Sequence, residues 1–172
     1  MPRSNSPEQL STPRAVVDTN LFVRGLLKGP VTLPLIQAWK EERFKLVTSE
    51  ALLAELFEVL ARPKFRRYFT REDVKELGEL IYERAEMVEP SIHVTLCRDP
   101  KDDIFLDVAI AGKVPYLVTG DDDLKGDEAK EKMRNEYGVR IVSVPECLAI
   151  LGAVRAEKRP ETEDGGPGQP SP

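Results

Sequence analysis

The chain is predicted to be an α/β protein, a three-layer α/β/α arrangement with a central, mostly parallel sheet. Three observations predict it. Short apolar runs of strand length recur along the chain, at 15–17, 45–47, 116–119 and 139–144. Between them lie longer segments whose apolar residues repeat at helical spacing, and strands alternating with helices call for a parallel sheet covered on both faces. The 172 residues, with 41% hydrophobic content, suit one domain with a substantial core.

Residues 1–13 and 155–172 are rich in Pro, Gly, Ser and charge, lack periodicity, and are expected to be disordered tails around a folded unit spanning 14–154. Ala15-Val16-Val17 suits a buried first strand that ends in the turn Asp18-Thr19-Asn20. From Val31 to Phe44, Leu33, Leu35, Ile36 and Trp39 fall at helical spacing, with Pro34 tolerable in the first turn. Lys45-Leu46-Val47 is a second strand, after which Thr48 or Ser49 can cap a helix. That helix runs to about Ala61 and stops before Pro63, because the residue preceding a proline is pushed out of the helical region. Thr70 and Asp73 form an acidic variant of the capping box, and Leu77, Leu80, Ile81 and Tyr82 give the following helix its apolar stripe. A third strand is expected around Ala85 to Val88, a helix over 102–111, and strands at 116–119 and 139–144.

Composition excludes several functions. No apolar stretch approaches the roughly 20 residues that cross a bilayer, and the Ser- and Pro-rich start is no secretion signal, so a cytoplasmic location is expected. Cys97 and Cys147 form no C-x-x-C pair and read as small buried side chains. His93 is the single histidine, which argues against histidine-rich zinc sites, Ser-His-Asp triads and nucleases that need two imidazoles. Catalysis would then rest on carboxylates, hydroxyls, Lys, Arg or a metal. The net charge of −5 does not advertise a polyanionic partner. The best basic patch is Arg62, Lys64, Arg66 and Arg67, interleaved with Phe65, Tyr68 and Phe69. It suits phosphate and base contact, or equally a solvated connector with anchoring aromatics.

Four acidic segments carry the chemical signal. Carboxylates at the ends of buried elements are expensive to desolvate without positive compensation, and several on one rim imply a divalent cation. Asp18 closes the first strand and Asp121 the fourth, the positions where parallel sheets bind ligands. Asp18 also suits a turn or helix-cap residue, and the run Asp121-Asp122-Asp123 a solvent loop. Glu55 falls about 60° from Leu52 on its helix, at the edge of the apolar stripe, and is expected to face inward yet reach a cleft. Asp102 shares its helix side with Phe105, Leu106 and Ala109 and is assigned to the site. Asp103 aligns with Asp107 and is expected to look outward. Gly120 is expected to let the chain turn sharply after the fourth strand.

Together, VVDTN, SEALLAELFEVLARPKF, DPKDDIFLDVAIAG and YLVTGDDDL resemble the PIN-domain family in order and spacing, over about residues 14–151. The likeness is to small prokaryotic stand-alone PIN proteins, many grouped as toxins of toxin–antitoxin pairs. It implies a PIN-like nuclease fold, with acids binding Mg²⁺ or Mn²⁺ and acting on single-stranded RNA. Carried over by motif, the catalytic and metal-binding acids are Asp18, Glu55, Asp102 and Asp121, supported by Asn20, Thr119 and Asp123. Asp103 stands where such relatives often have Asn, which leaves the choice between Asp102 and Asp103 open. An antitoxin protein and a homodimer are the partners implied. A haloacid-dehalogenase-type phosphatase would need a second aspartate where this chain has Asn20, and a receiver domain fits the Glu55 helix and the late TGDDD segment poorly. A PIN-type fold that binds RNA or a partner with little turnover is the remaining alternative.

Overall fold

A computed structural model of the chain describes residues 12–121, 124 and 126–157. Among these, five strands form one sheet: β1 Arg14–Val17, β2 Lys45–Thr48, β3 Glu86–Met87, β4 Tyr116–Val118 and β5 Arg140–Val142. Their order is β3-β2-β1-β4-β5, and every pairing is parallel, without the exception that a mostly parallel sheet allowed. The chain builds outward from β1 through β2 to β3, then returns to place β4 on the other side of β1. Strand order therefore reverses between β1 and β4, where the diverging connections leave a crevice at the carboxyl ends.

Seven helices are described: α1 Thr19–Leu26, α2 Leu33–Lys40, α3 Glu50–Leu60, α4 Arg71–Arg84, α5 Asp103–Gly112, α6 Asp127–Tyr137 and α7 Val144–Glu157. Because strand side chains alternate, the sheet feeds two cores. Val16, Val47, Leu117 and Ile141 face Phe105, Leu106 and Val108 of α5 and Met133 of α6. Ala15, Val17, Leu46, Val118 and Val142 face the opposite cluster, which contains residues of α1, α2, α3, α4 and α7. Helices thus cover both faces.

Local signals set the helix starts. Ser49 accepts the Leu52 amide as cap of α3, and Thr70 and Asp73 make the reciprocal capping box of α4. The helix expected over 31–44 is shorter, because Glu42 adopts a positive φ of 57° and the chain turns into β2. The helix expected from Asp102 begins with a 3-10 turn at Pro100–Asp102 and becomes α-helical at Asp103. Helices α1, α6 and α7 have no counterpart in the sequence reading. In α6 only Ala129 and Met133 are buried, a stripe too thin to stand out against its charged residues. Helix α7 continues to Glu157, three residues past the expected boundary at 154. The rest of the expected tails, 1–11 and 158–172, lies outside the described residues. Among the described residues no helix is long and apolar enough to cross a membrane.

Candidate active site

The site begins where β1 and β4 part. Val17 pairs with Val118, and beyond that pair the Asp18 amide still donates to the Val118 carbonyl at 2.9 Å, while the Thr119 amide donates to Val142 at 3.0 Å. The Asp18 carboxylate is only 2% exposed. Its Oδ1 accepts the Asn20 amide at 2.9 Å, which makes Asp18 the N-cap of α1, and its Oδ2 accepts the Thr119 hydroxyl at 2.9 Å. Capping and site membership coincide in this one side chain. Burial pushes its pKa above the ordinary value, the two hydrogen bonds oppose that, the Asp121 charge adds to it, and the Arg24 charge offsets part of it.

Thr119 is fully buried and works in both directions. Its hydroxyl donates to Asp18 and accepts the Asp121 amide at 3.0 Å, tying the ends of β1 and β4 together. Gly120 does not take the left-handed backbone that a sharp glycine turn would show; positive φ among the described glycines is confined to Gly138. Its small size is what counts, since a Cβ there would lie 3.2 Å from Leu21 Cδ2. Asp102, half-buried, shares a side-chain hydrogen bond with Asp121. Burial, and then the charges of Asp121, Asp99 and Asp18, push Asp102 up to about 6. Asp18, Asp102 and Asp121 therefore stand in one electrostatic neighbourhood.

Asp103 takes the other path, and the expectation that it looks outward is corrected. It is buried, and its Oδ1 accepts the amides of Leu96 at 3.0 Å and Cys97 at 2.8 Å. One turn on, buried Asp107 accepts the Val94 amide at 2.8 Å, and His93 Nδ1 lies 3.0 Å from its other oxygen. The two do align on one helix face, but that face binds the extended segment 93–97 rather than water. Asp103 is committed to backbone amides, whereas Asp102 is within electrostatic reach of Asp121 and Asp18.

Glu55 is exposed rather than inward-facing, yet it reaches the site's edge: Thr19, next to Asp18, donates its hydroxyl to Glu55 Oε2 at 3.3 Å. Asn20 meets Asp18 through its backbone amide. Asp123 lies outside the described residues. Arg62, Lys64, Arg66 and Arg67 are exposed, with Lys64 over the Phe65 ring and Arg67 over that of Tyr68. Tyr68 and Phe69 share a cleft with Leu26 and Lys28 at the far end of α1. The eight-residue helix α1, capped by Asp18 at its start, puts about 12 Å of helix between Asp18 and that cleft. Both cysteines are buried; desolvation raises both thiols, that of Cys147 up to about 11.

Sequence reasoning placed Thr19 in the turn beside Asp18 without its partner, and missed Arg24. Thr19 links Glu55 to the turn, and Arg24, one and a half turns into α1, places a positive charge within reach of Asp18. The helical offset from Asp18 to Arg24 would have pointed to Arg24 only if α1 itself had been recognised. Among the described residues no three His, Cys, Asp or Glu side chains are drawn together as a ready-made metal-ligand set.

Residues 14–123 match the family model of the PIN domain. An uncharacterized protein of Methanocaldococcus jannaschii is 29% identical over 140 residues, covering 78% of this chain and 89% of the relative.

Proposed function

Because the chain belongs to the PIN-domain family, whose members are generally nucleases that use divalent metals, we propose that it is a Mg²⁺- or Mn²⁺-dependent endoribonuclease cutting single-stranded RNA. The observation that carries this reading is buried Asp18 at the end of β1, tied through the Thr119 hydroxyl to Asp121 at the end of β4, with Asp102 within electrostatic reach of both. Three carboxylates gathered within electrostatic reach of one another suit a hard cation. Magnesium takes one or two carboxylates directly and keeps several waters, so a three-ligand protein cage is not needed.

Under this reading Asp102 and Asp121 hold the metal, and Asp18 acts directly or through water. Thr119 and the Asn20 amide fix the Asp18 carboxylate, while Glu55, steered by Thr19, stands at the rim. When bound, the metal would lower the pKa of a coordinated water and stabilise charge on the phosphodiester. The residues' task is to orient, to exclude bulk water around Asp18, and at Asp102 to release any bound proton to solvent as the cation takes its place.

The test is cleavage of labelled single-stranded RNA with Mg²⁺ or Mn²⁺, against EDTA and against Asp18→Asn. Cleavage confined to the metal-loaded parent is expected; equal activity in all conditions overturns the reading. Metal and RNA binding without turnover would favour the alternative, a weak or inactive RNA- or partner-binding PIN module. We further propose that the protein acts as a toxin, restrained by an antitoxin that inserts into the acidic groove, and that it pairs as a homodimer in the cytoplasm. Light scattering and co-expression with the adjacent gene product test these partners.

A further inference from the structure

Two cavities flank the acidic crevice, and their chemistry differs. On the side of β2 lies one of about 710 Å³, lined by Glu50, Glu89, Asp103 and Asp107, which would repel a phosphodiester chain. On the side of β5 lies one of about 470 Å³ whose floor includes Thr119 and Gly120, the residues that close the acidic site. Its walls are Leu21, Leu27, Val31 and Pro145, and Arg24 stands on its lining. The Arg24 side chain is exposed, and among the described residues no carboxylate lies within ion-pairing distance of it. An apolar hollow with a free cation at its edge, continuous with the acids, combines what a nucleotide needs: apolar cover for a base and neutralisation for a phosphate.

We propose that this cavity seats the base of the nucleotide flanking the bond to be cut, with Arg24 contacting a neighbouring phosphate. The inference rests on the ribonuclease reading of the acidic site and adds a subsite to it. It also supplies a reason for a single-stranded substrate, because a base can enter a lateral hollow only when it is free of a duplex partner and can be splayed from the strand.

Binding, rather than cleavage, tests it. A fluorescein-labelled single-stranded 12-mer RNA is titrated in Mg²⁺ with Asp18→Asn protein, which is expected not to cut the probe; its amide oxygen keeps one of the two acceptors that Asp18 offers to Asn20 and Thr119, while its NH₂ can donate to the Thr119 hydroxyl. Adding Arg24→Gln is expected to weaken binding about tenfold at low salt and to reduce the slope of log affinity against log salt by about 0.7, the signature of one lost phosphate contact on a single strand. Adding Val31→Asn, at a position 59% exposed and therefore tolerant in the fold, is expected to weaken binding with little change in that slope, because it removes apolar cover without changing charge. It should also erase the preference for an intact probe over one carrying an abasic site. Circular dichroism melts confirm that each variant is folded. Unchanged affinity and slope in both variants overturn the proposal, as does absence of RNA binding by the parent. Weakened binding in the variants beside a metal-loaded wild type that cuts nothing would keep the subsite and remove the catalytic reading.

Discussion

Asp102 and Asp103 are adjacent in the chain and point to different work, and their substitution should separate the two roles. The folded protein holds Asp102 near 6, above its ordinary 3.8, so the folded state keeps a proton that the unfolded chain releases as pH rises from about 4. The sign follows from linkage: where the folded state binds more protons, stability falls with rising pH. Asp102 is therefore least costly below pH about 4, and its penalty grows until pH passes about 6. In EDTA, Asp102→Asn should melt above wild type, with a gap that widens between pH 4 and 6.5; a gap independent of pH would contradict this. Asp18, also raised by burial, pushes in the same direction. Asp103→Ala should do the opposite. It strands the Leu96 and Cys97 amides, at a cost of about 1–3 kcal/mol, read as a lower urea midpoint. An Asp103→Ala protein as stable as wild type would return that carboxylate to the list of site candidates.

At the scale of elements, the positioning of Asp18 depends on how closely α1 lies on α2. A Cβ at Gly25 would fall 2.2 Å from Ile36 Cγ1. Gly25→Ala should therefore push the two helices apart and destabilise the fold by about 1–3 kcal/mol, the range for overpacking a filled interior. Urea unfolding of the variant checks it, and a neutral result would mean that Ile36 yields without moving the backbone. Strands and capped helices were legible in the chain because their signals are local: a compact apolar run, a serine or threonine before the first turn, a proline after the last. Helices α1, α6 and α7 were not. The first is eight residues long and interrupted by Gly25; α6 buries two residues; α7 buries Val144, Cys147 and Leu151 among apolar residues that are not buried, which blurs its stripe.

At the scale of the molecule, the order β3-β2-β1-β4-β5 is what brings 18, 102 and 121 to one crevice. Metal should report that convergence directly. A ligand that binds only the folded state raises stability by about 2.7 kcal/mol when present at 100 times its dissociation constant. Millimolar Mn²⁺ or Mg²⁺ at pH 7.5 should raise the melting temperature of wild type, do less at pH 5, where Asp102 retains its proton, and do little for Asp121→Asn. Equal shifts in wild type and Asp121→Asn would mean that the ions bind elsewhere. Loss of activity in Arg62→Gln or Lys64→Gln is not expected to match that of Arg24→Gln, because Arg24 lines the cavity that contains Thr119 and Gly120 and the other two do not.

The amino-acid order alone determined the α/β class, the succession of strands, the caps of α3 and α4, and the short roster of acids, because apolar runs and turn residues act within a few positions of one another. Tertiary structure decided the rest. It bound Asp103 to the amides of Leu96 and Cys97 while leaving Asp102 within electrostatic reach of Asp18 and Asp121, moved Glu55 to the rim through Thr19, replaced a turning role for Gly120 with a close approach to Leu21, and let Thr119 grip an aspartate 101 residues away. Those outcomes depend on which strands become neighbours and in what register, and that is settled by packing the two cores across the whole sheet rather than by any segment on its own.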